Sequence, residues 1–176
     1  MTEQHRIRGL SVRIDNTRPD IDSARVLARL TAALDLIAMY APRRLRRMEQ
    51  DLLGIVVRRF PCRGAFFHRE RECLVELTFT VNPQHSLAEV AASIVHEATH
   101  ARIAAMCGSL PDQQRPREER LCRKAELELG LAIPDERVLE RARAALAMAD
   151  QDVAPAVDWG IAARRVQSED TRALDA

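Results

Sequence analysis

Residues 86–108, SLAEVAASIVHEATHARIAAMCG, leave this chain the least conformational freedom. Ser86 and Glu89 have capping-box spacing, in which each side chain accepts a hydrogen bond from the other residue's otherwise unpaired backbone amide. No proline or glycine interrupts the run until Gly108, a residue suited to the backbone turn that ends a helix. The pattern predicts a helix over about 87–106. It would be about 30 Å long, and its alanine, valine and isoleucine positions must be buried by whatever surrounds it. In its middle stands His96-Glu97-x-x-His100.

Several other elements flank it. IRGLSVRI (7–14) alternates Leu10, Val12 and Ile14 with polar residues and predicts a first strand. A helix over about 23–40 carries Val26, Leu27, Leu30, Leu34 and Ile37 on one side. Pro42 opens a second helix with Leu45, Met48 and Leu52 facing inward. GIVVRRF, AFFHRE and ECLVELTFTV are short and β-prone, and predict a small antiparallel sheet. After the polar loop SLPDQQR, Pro116 begins a helix ending near Gly130 or Leu131, and Pro134-Asp135 begin another ending near Ala149. Residues 1–150 are expected to form one domain. Residues 151–176 are expected to be a partly helical extension, with a core face only around Val157–Val166 and a frayed end over the last eight or so.

Composition excludes several classes. A net charge of +1 does not point to nucleic acid or membrane. The start, MTEQHRIRGL, lacks the apolar core of a signal peptide, and no stretch approaches the roughly 20 apolar residues of a membrane span. A cytoplasmic location is therefore expected. Cys62, Cys73, Cys107 and Cys122 form no C-x-x-C pair and read as reduced thiols. Arg43, Arg44, Arg46 and Arg47 read as a solvated helix face balanced by Glu49 and Asp51, with no nucleic acid expected.

The helical histidines carry chemistry. At 100° per residue, His96 and His100 project from one face, so their ring nitrogens can converge on one ion about 2.0–2.1 Å away. Glu97 stands beside that face, placed to reach a water on the metal rather than the metal. Zinc lowers the pKa of such a water to roughly 7, so a carboxylate can take its proton for attack on a carbonyl. The bland alternative is a histidine pair with no metal, but burying His-Glu-His leaves polar groups in need of partners.

A catalytic zinc needs a third protein ligand. One way to supply it extends the motif to H-E-x-x-H-x-x-G-x-x-H, but those last two positions hold Ile103 and Met106. The other is a glutamate from the next helix. Glu119, Cys122 and Glu126 share one face, Glu118 lies on the border of the apolar stripe, and Glu128 faces solvent. Both Glu118 and Glu119 qualify. Cys122 reads as a small packing residue between the helices.

The two histidines with a glutamate about 19 residues on resemble the glutamate-ligand zinc metallopeptidases, the gluzincin branch of the zincin-like fold. More narrowly, VHEATHAR with Arg117-x-Glu119-x-x-Cys122 and Lys124-x-Glu126 resembles a group of uncharacterised small bacterial proteins with an HEATHA-type motif. The resemblance is specific over about 86–134 and looser over 24–60. It implies Glu119 as third ligand, with Glu126 behind it orienting a histidine or a basic residue. Such peptidases commonly stabilise the oxyanion with a tyrosine or histidine. Tyr40, His68, His85 and Arg117 are the candidates here, with Tyr40 on a distant helix.

The expectation is an α+β, zincin-like minimal metallopeptidase fold, mainly helical, with the antiparallel sheet beside the active-site helix. His96, His100 and Glu119 would hold Zn2+, and Glu97 would act as general base and later proton donor. The substrate would be a peptide or protein, and VELTFTV could pair with it as an edge strand. Catalytically silent zinc-binding or interaction modules are the rivals.

Overall fold

The computed structural model describes residues 2–108, 111–155 and 158–174. The fold is mixed α+β, mainly helical, with one five-stranded sheet. Strands β1 (Thr2–Ile7) and β2 (Leu10–Asp15) form an antiparallel hairpin. Its two-residue turn is Arg8-Gly9, both at positive φ (48° and 82°), which matches the right-handed twist of the strands. The single strand expected over 7–14 is therefore cut at this turn.

From β2 the chain crosses through α1 (Ser23–Tyr40) and α2 (Pro42–Asp51) to β3 (Gly54–Arg58). A crossover of that length returns the strand in the same direction, and β2 and β3 pair in parallel with Val12 opposite Ile55. β4 (Gly64–Phe67) and β5 (Glu72–Glu76) follow, with β5 parallel to β3 and β4 antiparallel to β5. The order is β1-β2-β3-β5-β4. The sheet is thus mixed, and the expected purely antiparallel sheet is corrected. GIVV of β3 is buried throughout, as suits a central strand covered on both faces.

The strand expected to continue to Val81 stops at Glu76. Its carboxylate accepts from the amide of Phe79 (2.6 Å) and the hydroxyl of Thr78 (2.7 Å), and Thr80 donates back to the Glu76 carbonyl (2.8 Å). These local bonds turn the chain into a short helix, α3 (Leu77–Val81). VELTFTV therefore presents no edge for a peptide: its strand portion is internal, between β3 and β4.

The capped helix forms as read. α4 (Leu87–Cys107) has both capping-box bonds, 3.1 Å and 3.0 Å, and ends at Gly108 with φ of 72°. It packs against α1, α2, β4, β5 and α5 (Arg115–Ala132), so it is the spine of the molecule. Ile94, Val90 and Ala91 on α4 meet Leu30, Leu34 and Ile37 on α1 within one continuous core. α6 (Glu136–Leu146) covers α5, followed by α7 (Asp150–Val153) and α8 (Trp159–Leu174). Ser109 and Leu110 of the expected polar loop, and Val157 of the expected C-terminal core face, lie outside the described residues. No helix among the described residues is long and apolar enough to cross a membrane.

Of the last eight residues, expected to fray, 169–174 belong to α8, where Asp170 makes two contacts with the body, and 175 and 176 lie outside the described residues. Asp170 accepts from Arg59 Nε (2.7 Å) and Arg18 Nη1 (2.9 Å). Arg59 also pairs with Glu76, the residue that ends β5. Both members of that pair are nearly inaccessible, with side chains 9% and 6% exposed. Removing one partner leaves a buried charge, so Arg59→Met is expected to cost about 3 kcal/mol. Asp170→Ala, at a more exposed end of the network, is expected to cost about 1 kcal/mol. Urea unfolding measures both, and an equal loss in the two variants would show that the buried pair does not dominate.

Candidate metal centre

Antiparallel packing of α4 on α5 builds the centre. His96 pairs with Glu126 and His100 with Glu118, so ascending one helix means descending the other. Each histidine turns its Nδ1 to a carboxylate: His96 to Glu126 at 2.6 Å, His100 to Glu118 at 2.7 Å. Their Nε2 atoms then face each other at 3.2 Å. The Glu119 carboxylate completes a triangle, 3.2 Å from His96 Nε2 and 3.5 Å from His100 Nε2.

These distances suit a cation. Tetrahedral ligands about 2.0–2.1 Å from a zinc ion are separated by about 3.3–3.4 Å. With the proton of each ring on Nδ1, where a carboxylate accepts it, both Nε2 atoms present lone pairs to one another and to Glu119. Three facing acceptors repel unless a metal ion or a proton lies among them. The electrostatics agree: burial acts to lower the pKa of His96, but Glu119 and Glu126 outweigh it and push it up to about 9. Burial opposes ionisation of Glu119 and Glu126 too, yet contact with His96 holds both below the usual carboxylate range.

Cys122 lies close as well, its Sγ within 4.8 Å of a ring nitrogen of each histidine. It is fully buried, and burial together with the surrounding glutamates pushes its thiol pKa far up while no ion is bound. A metal takes thiolate, not thiol. Glu119, with oxygens 3.2 Å and 3.5 Å from the two Nε2 atoms and held ionised by His96, and Cys122 are the two groups that could complete the site.

Glu97 is buried, and its carboxylate forms no hydrogen bond or ion pair with any described residue. Burial raises its pKa against the pull of His96 and His100. It faces a cleft of about 570 Å³ bounded by α4, α5, β4 and the Ala154–Pro155 and Trp159 region. β4 comes close because residue 64 is glycine: a Cβ there would stand 2.9 Å from Glu97 Oε1 and 3.1 Å from Ser93 Oγ. Cys62 also lines the cleft, but burial, then Glu97, raises its thiol pKa, which argues against a cysteine nucleophile.

The motif residues and the downstream glutamates thus come together. Of the four oxyanion candidates only His68 lines the cleft, its ring against Phe66 at 4.7 Å. His85 binds Glu89 instead, at 3.2 Å. Sequence reasoning missed the arginines Arg63, Arg123 and Arg141 and the glycine at 64, all of which line the cleft. Arg123 stands three residues before Glu126 and bonds it at 2.6 Å, a spacing that could have been read. Arg141 carries no local signal.

Comparison with protein-family models, curated proteins and solved structures found no match to this chain.

The geometry ranks the acidic residues. Glu119→Ala is expected to weaken zinc binding by more than the roughly 10–100-fold expected for Glu118→Ala or Glu126→Ala. Cys122→Ala should change it only a few-fold, about 1 kcal/mol or less. Competition with a chromophoric chelator gives the values. A larger loss for Cys122→Ala than for Glu119→Ala would transfer the third position to the cysteine.

Proposed function

We propose that the protein is a zinc-dependent hydrolase of peptide or amide bonds, of gluzincin-like, zincin-like type. The observation that carries this reading is the convergence of three acceptor groups, two imidazole Nε2 atoms and the Glu119 carboxylate, with contacts of 3.2–3.5 Å, beside a buried carboxylate that no described residue holds. His96, His100 and Glu119 would hold the ion. When bound, it would supply Lewis acidity and lower the pKa of a coordinated water.

The chain's own groups supply the rest. Glu126 and Glu118 fix the two imidazoles in the tautomer that presents Nε2, and strengthen both as donors. Glu97, pushed up by burial, is suited to take a proton from the nucleophilic water and to return it to the leaving amine. β4 lies at the open end of the sheet order and lines the cleft at Gly64, Ala65 and Phe66, so an extended substrate can pair with it. His68, which lines the cleft, would support developing negative charge. Order along the chain supports the resemblance as well, except that α3 rather than a strand immediately precedes the active-site helix.

The protein purified without chelator is expected to contain about one zinc per chain. Glu97→Gln should keep that zinc and lose about 10²–10⁴-fold in rate. New peptide termini generated in a cell extract by wild type, and missing with Glu97→Gln, are the readout and also reveal the substrate. Identical termini with both proteins would end the hydrolase reading. A zinc-loaded protein that generates none would instead be a silent binding module.

A further inference from the structure

Two charged side chains in the cleft have no bonded partner among the described residues: Glu97 and Arg141. Arg141 lies on α6, whose start is fixed by Asp135 accepting from the amide of Val138. It is half-buried, yet forms no hydrogen bond or ion pair with a described residue. Long surface arginines normally stretch into water. This one is held in the cleft wall beside two others.

The neighbours are also short of acceptors. Arg123 gives Nη1 to Glu126 at 2.6 Å, but its Nε is buried without an acceptor. Arg63 lies over the Phe79 ring at 5.0 Å and reaches Glu89 only at 3.5 Å, leaving its buried Nη1 without a hydrogen bond. Burial depresses the pKa of Arg141; Arg63 and Arg123 depress it further, while Glu126 and Glu89 pull the other way. Three guanidinium groups therefore share two carboxylates, and the surplus positive charge belongs to Arg141. Each also has donors to spare. A planar, two-oxygen acceptor matches that arrangement better than water does, because a guanidinium fork bonds it twice.

We propose that Arg141, flanked by Arg63 and Arg123, seats an oxyanion of the substrate, a carboxylate or a phosphate, in the same cleft as Glu97. This rests on the hydrolase reading for its purpose and on the arginine cluster for its chemistry. Arg141 then determines specificity rather than catalysis: it selects peptides that carry the anion at a set distance from the bond presented to Glu97. The anion has three chemical sources, namely a chain's terminal carboxylate, an acidic side chain and a phosphorylated side chain.

Four acetylated tetrapeptides of one backbone separate them. One has a free terminal carboxylate, one is amidated and neutral, one is amidated with an internal aspartate, and one is amidated with a phosphoserine. Binding to zinc-loaded Glu97→Gln protein, measured calorimetrically, avoids turnover. At least one anionic peptide is expected to bind about 10–100-fold more tightly than the neutral one, the range of a charged hydrogen bond. Which one does so identifies the source. Arg141→Gln in the same background is expected to abolish the preference while leaving bound zinc and the neutral peptide's affinity unchanged. Arg141→Lys, which keeps the charge but not the fork, should retain part of it. Four equal affinities, no measurable binding of any anionic peptide, or a preference that survives Arg141→Gln overturns the proposal. An anion preference in a protein that cleaves nothing would retain the oxyanion seat and remove the hydrolase reading; cleavage without preference would do the reverse.

Discussion

The bond from His96 Nδ1 to Glu126 is the interaction on which the cleft depends. Glu126 is 2% exposed, and a carboxylate taken so far from water is costly unless it is bonded and its charge is compensated. His96 and Arg123 do both, each at 2.6 Å. That requirement locks α5 against α4 in one register, since a shift of one residue would turn Glu126 by 100° away from the imidazole. The same register brings Glu118 to His100 and Glu119 between the two rings. One buried ionic contact therefore sets three distances at the centre. An apolar pair at 96 and 126 could hold the helices together as firmly, but it would not fix the direction of a lone pair.

How much of this was legible depends on whether the signal was local. The capping box, the glycine stop and the helical spacing of His96 and His100 involve residues within one or two turns, and the helix they describe exists within a residue of its expected ends. Glu118 and Glu119 could not be separated by pattern alone, because both border the apolar stripe of α5. Their roles are decided by a 100° rotation that only the docked partner helix can read: Glu119 meets the Nε2 atoms and Glu118 the Nδ1 of His100. Strand direction was illegible for a related reason. β-prone runs announce strands but not their neighbours, and it is the α1–α2 crossover that makes β2 and β3 parallel. The run ending in LTFTV misled because its β-branched residues are recruited by Glu76, whose side chain bonds forward and caps a helix.

Gly64 illustrates a constraint with no pattern at all. Read in sequence, PCRG is a turn, and glycine there needs no further reason. In the fold, residue 64 is the point where the sheet edge passes the Glu97 side chain, and even one methyl group would stand within 3 Å of it. The edge strand and the general-base candidate are therefore positioned by the same absence of a side chain.

Stable proteins rarely leave buried ionisable groups unpaired, and departures from that consistency concentrate where a site must meet something from outside. Here buried Glu97 and half-buried Arg141, neither bonded to a described residue, have opposite sign and line one cleft. The neighbouring charges Arg123, Glu126 and His96 are bonded to one another at 2.6 Å. Burial raises the pKa of Glu97 against the pull of His96 and His100, and no described residue accepts from Arg141. Under the proposed reading, a water beside Glu97 would supply the proton-bearing nucleophile, and a peptide with an oxyanion set back from its attacked bond would engage Arg141 in the same pose. That would be a more demanding template than either group alone, and under the proposed reading substrate choice would follow charge spacing rather than an elaborate specificity pocket.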